Sequence, residues 1–102
     1  VNEDKVQETT QDKTQAAINR GLRAAQLLES EAFKDATDAL AEQLMGRWRV
    51  SADQIERERI WLSVNLLDQI KGKLAIVANN GKLARKEFDE LTTGRRLRFG
   101  IV

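Results

Sequence analysis

The chain holds no cysteine, no histidine, no proline and no tyrosine. Without cysteine there is no disulfide framework and no thiolate nucleophile. Structural zinc sites draw on Cys or His, and a Ser-His-Asp arrangement needs its imidazole, so both are excluded. No apolar run approaches the roughly 18 residues of a membrane span, and no signal-peptide pattern opens the sequence. The absence of cysteine fits any redox compartment. Glycine is scattered over Gly21, Gly46, Gly72, Gly81, Gly94 and Gly100, and none of these falls in a phosphate-cradling or dinucleotide-binding pattern.

What is present is charge and helical periodicity. The chain has 102 residues, enough for one domain. Its 17 Lys and Arg against 16 Asp and Glu leave a net charge of +1, which is no electrostatic footprint for nucleic acid. Residues 1–11 are polar apart from Val1 and Val6 and cannot bury enough surface to offset the entropy of ordering. They read as a flexible arm. From Asp12 onward apolar residues recur at intervals of three and four: Ala17, Leu22 (or Ala24), Leu28, Phe33, Ala36, Leu40, Leu44 and Trp48.

Ser30 can cap a helix start, and Glu31 suits the positive end of the helix dipole. The reading is therefore one helix near 12–28 and another near 31–48, with a single continuous helix as the alternative. Ser51-Ala52-Asp53-Gln54 fits a capping box with Ser51 as N-cap and Gln54 reaching back. A helix to about Ala78 follows, roughly 37 Å long at 1.5 Å per residue. Its main apolar row is Ile55, Trp61-Leu62, Leu66 (or Leu67), Ile70, Leu74 and Val77, with Ile60, Val64, Leu67 and Ile76 beside it. A stripe this wide needs contacts on more than one side. Asn79-Asn80-Gly81 reads as its stop. Lys82 to Leu91 gives a short amphipathic helix, ended by Thr92-Thr93-Gly94. In the last eight residues Leu97, Phe99 and Ile101 share one parity and Arg96 and Arg98 the other, which is a strand period.

The inventory for chemistry is poor. Glu56-Arg57-Glu58-Arg59 interleaves signs, so it reads as a solvated, salt-bridged face. Asp35, Asp38 and Glu42 could face a hard cation, but a carboxylate metal site in a helical bundle also wants His. No enzyme activity, metal or cofactor is expected. Trp48 and Trp61 read as core near one turn, with a partner anchor as the alternative. Residues 92–102 add three arginines and no acid. A docking arm accounts for both residue sets: Leu97, Phe99 and Ile101 enter a groove or join a sheet edge, and Arg95, Arg96 and Arg98 meet acidic groups or phosphates. The dock is a protein partner or neighbouring subunit, the chain's own bundle, or nucleic acid, in that order of preference.

The run Leu27-Leu28-Glu29-Ser30-Glu31-Ala32-Phe33 with Ala36, Leu40 and Trp48, then Glu56-Arg57-Glu58-Arg59-Ile60-Trp61 with Leu67 and Asn80-Gly81-Lys82, resembles short helical proteins of tailed bacteriophages and prophages. Those proteins belong to DNA-packaging and virion-assembly gene clusters. The resemblance spans residues 27–91 and implies a non-enzymatic part of a phage particle or of its assembly machinery, in the virion or the host cytoplasm. It brings no catalytic residues.

The expectation is an all-α fold. An antiparallel hairpin of helices 31–48 and 53–78 is joined by N-terminal and short C-terminal helices, with arms at 1–11 and 92–102. Protein partners, with self-association or a larger assembly, supply the burial that so short a chain lacks. No membrane contact is expected.

Overall fold

Three helices account for nearly all of the backbone: α1 (Asn2–Glu29), α2 (Glu31–Val50) and α3 (Gln54–Arg98). The computed structural model describes the backbone of residues 2–98 and the side chains of residues 10–93. No strand occurs among the described residues, so the fold is all-α.

The break after Glu29 is local chemistry. Ser30 lies in extended backbone at φ −63° and ψ 128°, and its hydroxyl accepts the Phe33 N–H at 3.3 Å. That satisfies one of the orphan donors of α2, and Glu31 sits in its first turn. The start of α3 differs from the expected capping box. Ser51 ends α2 instead: its N–H donates to the Arg47 carbonyl at 3.0 Å. The N-cap of α3 is Asp53, whose Oδ1 accepts from Ile55 N at 3.2 Å while its carbonyl accepts from Arg57 N at 3.0 Å. Gln54 does not reach back; its amide donates to Glu58 at 3.2 Å.

The expected fourth helix does not exist as a separate element. α3 runs for 45 residues, through Asn79-Asn80-Gly81 and Thr92-Thr93-Gly94. Glycine costs a helix only about 1 kcal/mol against alanine, so a tertiary contact that needs it can keep it inside. Thr92 is accommodated by donating its hydroxyl to the Phe88 carbonyl one turn back, at 2.9 Å. The arm boundaries move as well. α1 takes in residues 2–11, and the backbone of residues 92–98 is helical rather than extended. Arg and Leu are good helix formers and no proline intervenes, so a short alternation at 95–98 does not impose a strand. Residues 99–102, half of the expected strand, lie outside the described residues.

The chain divides into two units. The first joins α1 up to Ala24 with α3 from Ile76. Its centre is Ile18, 4% exposed, with Ala24 and the glycines Gly21 and Gly81, all buried. A Cβ on Gly21 would lie 2.6 Å from the Gly81 Cα, and one on Gly81 would lie 2.7 Å from the Gly21 Cα and 3.1 Å from the Ala17 carbonyl oxygen. Backbone meets backbone here, which no side chain on either residue would permit.

The second unit runs from Ala25 to Ala75. On α2 the least exposed positions are Phe33, Thr37, Ala41, Leu44 and Trp48; on α3 they include Ile60, Val64, Leu67, Lys71 and Leu74. Spacings of four and three make each a narrow seam of the coiled-coil type. Thr37 is buried but satisfied, donating to the Phe33 carbonyl at 2.9 Å. Ile60, Val64 and Leu67 come from the set that the sequence reading placed beside the main stripe, Leu74 from the main stripe itself, and Lys71 from neither. Of the row it placed at the centre, Ile55, Trp61, Leu62, Leu66 and Ile70 are exposed, whereas Leu74 is half-buried.

Candidate protein-interaction surface

The link at residues 51–53 is tied down by one arginine. Arg57 projects from the first turn of α3, and its Nη1 donates to the carbonyls of Trp48 at 2.7 Å and Ser51 at 3.1 Å. Its guanidinium lies 3.9 Å from the Trp48 ring centroid. One cation thus neutralises the negative end of α2 and stacks on its last aromatic residue. Next to it Glu56 pairs with Arg47 at 3.6 Å and accepts the Ser51 hydroxyl at 3.2 Å. The run Glu56-Arg57-Glu58-Arg59 is therefore not the self-paired surface expected of it: Glu56 and Arg57 turn to α2 and to the link. The signal available in the sequence was a tryptophan and an arginine nine residues apart, flanking a short link.

A hollow of about 200 Å³ opens beside this cluster, lined by residues that include Leu44, Arg47, Glu56, Arg59, Ile60 and Ser63. Its two carboxylates and its hydroxyl are already engaged: Glu56 with Arg47, Asp53 accepting from Ile55 N, and Ser63 donating to the Arg59 carbonyl at 2.9 Å. No nucleophile–base pair lines it. Asp35, Asp38 and Glu42 are all exposed, and no group of three His, Cys, Asp or Glu able to hold a metal occurs among the described residues.

The largest feature of this unit is what it leaves uncovered. Ile55, Leu62, Leu66 and Ile70 are 62%, 55%, 58% and 54% exposed. At offsets of 7, 4 and 4 they fall within about 80° of one another on α3, outside the buried seam, with Ile55 also at the edge of the hollow beside Leu44 and Ile60. Compared with protein-family models, with curated proteins and with solved structures, the chain matches none. Arg59 and Lys73 continue the same row and are exposed. Single exposed leucines are ordinary, but a contiguous row of four on one helix face marks an interaction surface. Trp61 is 61% exposed on a different side of α3, so only Trp48 of the two tryptophans takes part in packing.

The arm residues fare differently. Arg95, Arg96, Leu97 and Arg98 belong to the last turn of α3. Phe99 and Ile101 lie outside the described residues. In the first unit Leu22, Ile76, Leu83 and Leu91 are exposed. No helix among the described residues is long and apolar enough to cross a membrane.

Proposed function

We propose that this chain is a non-enzymatic structural protein that docks on other proteins through the outward face of α3 and through residues 95–101. The observation that carries the reading is the row Ile55, Leu62, Leu66 and Ile70, more than half exposed at every position. In this reading α2 and the first half of α3 form an antiparallel hairpin. The three-residue link, the Arg57–Trp48 contact and the Arg47–Glu56 pair support that arrangement. The hairpin is a rigid mount that fixes the row in space. The setting, a bacteriophage virion or head-assembly component, comes from the resemblance of residues 27–91 alone.

The test is incorporation into assembled particles, read by mass spectrometry of purified particles. Deleting residues 95–102, or changing Leu62→Glu together with Leu66→Glu, is expected to remove the chain from particles while circular dichroism stays helical. Unchanged incorporation of both variants sinks the docking reading.

A second reading is contact with DNA through Arg95, Arg96 and Arg98, since residues 92–102 carry no acid. Such binding falls steeply with salt, with about one ion released per phosphate contacted. A flat response at low salt argues against it.

A further inference from the structure

Resting on the docking reading above, we propose that the occupant of the outward face of α3 is a second copy of this chain, with the two α3 segments antiparallel about Val64. From their exposed fractions, Ile55, Leu62, Leu66 and Ile70 leave on the order of 450 Å² in water, and the stems of Arg59 and Lys73 raise this to about 600 Å². A stable interface covers about 800 Å² on each partner, so this one face supplies most of what a dimer needs. A two-fold pairing uses the same face twice, which lets one row satisfy itself.

Charge chooses the direction. Ile55, Arg59, Leu62, Leu66, Gln69 and Lys73 follow spacings of four and three, with Ile70 at the edge beside Gln69, the pattern of a second seam about 140° around α3 from the buried one. Side by side in parallel, the copies would set Arg59 against Arg59 and Lys73 against Lys73. Antiparallel about Val64, Leu62 of one copy meets Leu66 of the other, and Arg59 meets Gln69. Lys73 then lays its stem over Ile55 of the second copy and brings its ammonium near Glu58 there. Among the described residues neither Arg59 nor Lys73 has an ion pair.

Sedimentation equilibrium of the purified full chain tests the proposal. A dimer is expected, and Leu62→Glu with Leu66→Glu weakens it on the order of 100-fold or more. Both leucines are exposed, so the variant keeps its helical signal and thermal midpoint. Because the chain has no cysteine, single probes report direction. With a short thiol-specific cross-linker, Ser63→Cys is expected to join two copies. Gln69→Cys is not, since its two copies would lie roughly 15 Å apart along the axis at 1.5 Å per residue. A monomeric wild-type chain, or a dimer that survives the double substitution, overturns the proposal. Efficient cross-linking through Gln69→Cys overturns the antiparallel arrangement. A monomer whose incorporation into particles is still blocked by Leu62→Glu with Leu66→Glu overturns only the second copy and leaves the docking reading standing.

Discussion

Gly21 and Gly81 touch through their backbones: a Cβ on either would lie within 2.7 Å of the other's Cα. Gly72 and Gly46 are helical too, but a Cβ on either would meet nothing within 4 Å. The contrast predicts opposite signs. Gly81→Ala gains about 1 kcal/mol of helix propensity but must push two backbones apart, and overpacking costs about 1–3 kcal/mol. The net expectation is a loss of stability, larger for Gly81→Val. Gly72→Ala has no such clash and should stabilise by about 1 kcal/mol. Denaturant midpoints of the two alanine variants check this. A stabilising Gly81→Ala would show that the helices do not approach so closely.

The buried and exposed rows of α3 predict a second contrast. Ile60 is 3% exposed, whereas Trp61 beside it is 61% exposed. Ile60→Ala removes buried methyl groups and leaves a void, at a cost of about 2–5 kcal/mol. Trp61→Ala, although it deletes a far larger side chain, should stay within about 0.5 kcal/mol in dilute solution. Thermal melts of both variants decide it, and equal costs would place Trp61 in the core after all.

Arg57 gives a third prediction. Arg57→Ala removes two charge-assisted hydrogen bonds and the stack on Trp48. Partial exposure screens these, so the expected cost is about 1–3 kcal/mol. Arg57→Lys should recover little, because an ammonium keeps the charge but not the planar fork. Both variants should change the fluorescence of Trp48. Against a Trp61→Phe background, an unaltered emission spectrum would contradict the stack.

The caps supply a fourth. Asp53→Ala and Ser30→Ala each delete an N-cap acceptor and should cost about 1 kcal/mol. Ser51→Ala leaves the N-cap of α3 in place and should cost less than Asp53→Ala. The reverse order in urea denaturation would restore Ser51 as the cap.

Much of the fold was legible in the sequence because its determinants are local. The helical class follows from the periodicity and the lack of proline. The break at Ser30 follows from one hydroxyl placed before Glu31 and Phe33, and the structure puts it there. The link after Val50 was legible to within two residues, since Ser51 and Asp53 are both good caps and sequence alone does not rank them. The width of the stripe on α3 was legible too, and with it the excess of apolar surface over what one partner helix covers.

Tertiary structure decided the rest. Gly81 reads locally as a helix stop, yet it sits inside α3 because Gly21, 60 residues away, needs a bare backbone opposite it. Arg57 reads as one member of a solvated run until Trp48 is brought under it. Two apolar rows of similar hydrophobicity share α3, and helical periodicity weighs them equally. Only the tertiary packing buries Ile60 and Leu67 and leaves Leu62 and Leu66 in water. The physical reason is one of range. Propensity and capping act within a turn or two of the chain, whereas the choice of a buried face depends on which residues of another helix arrive to cover it.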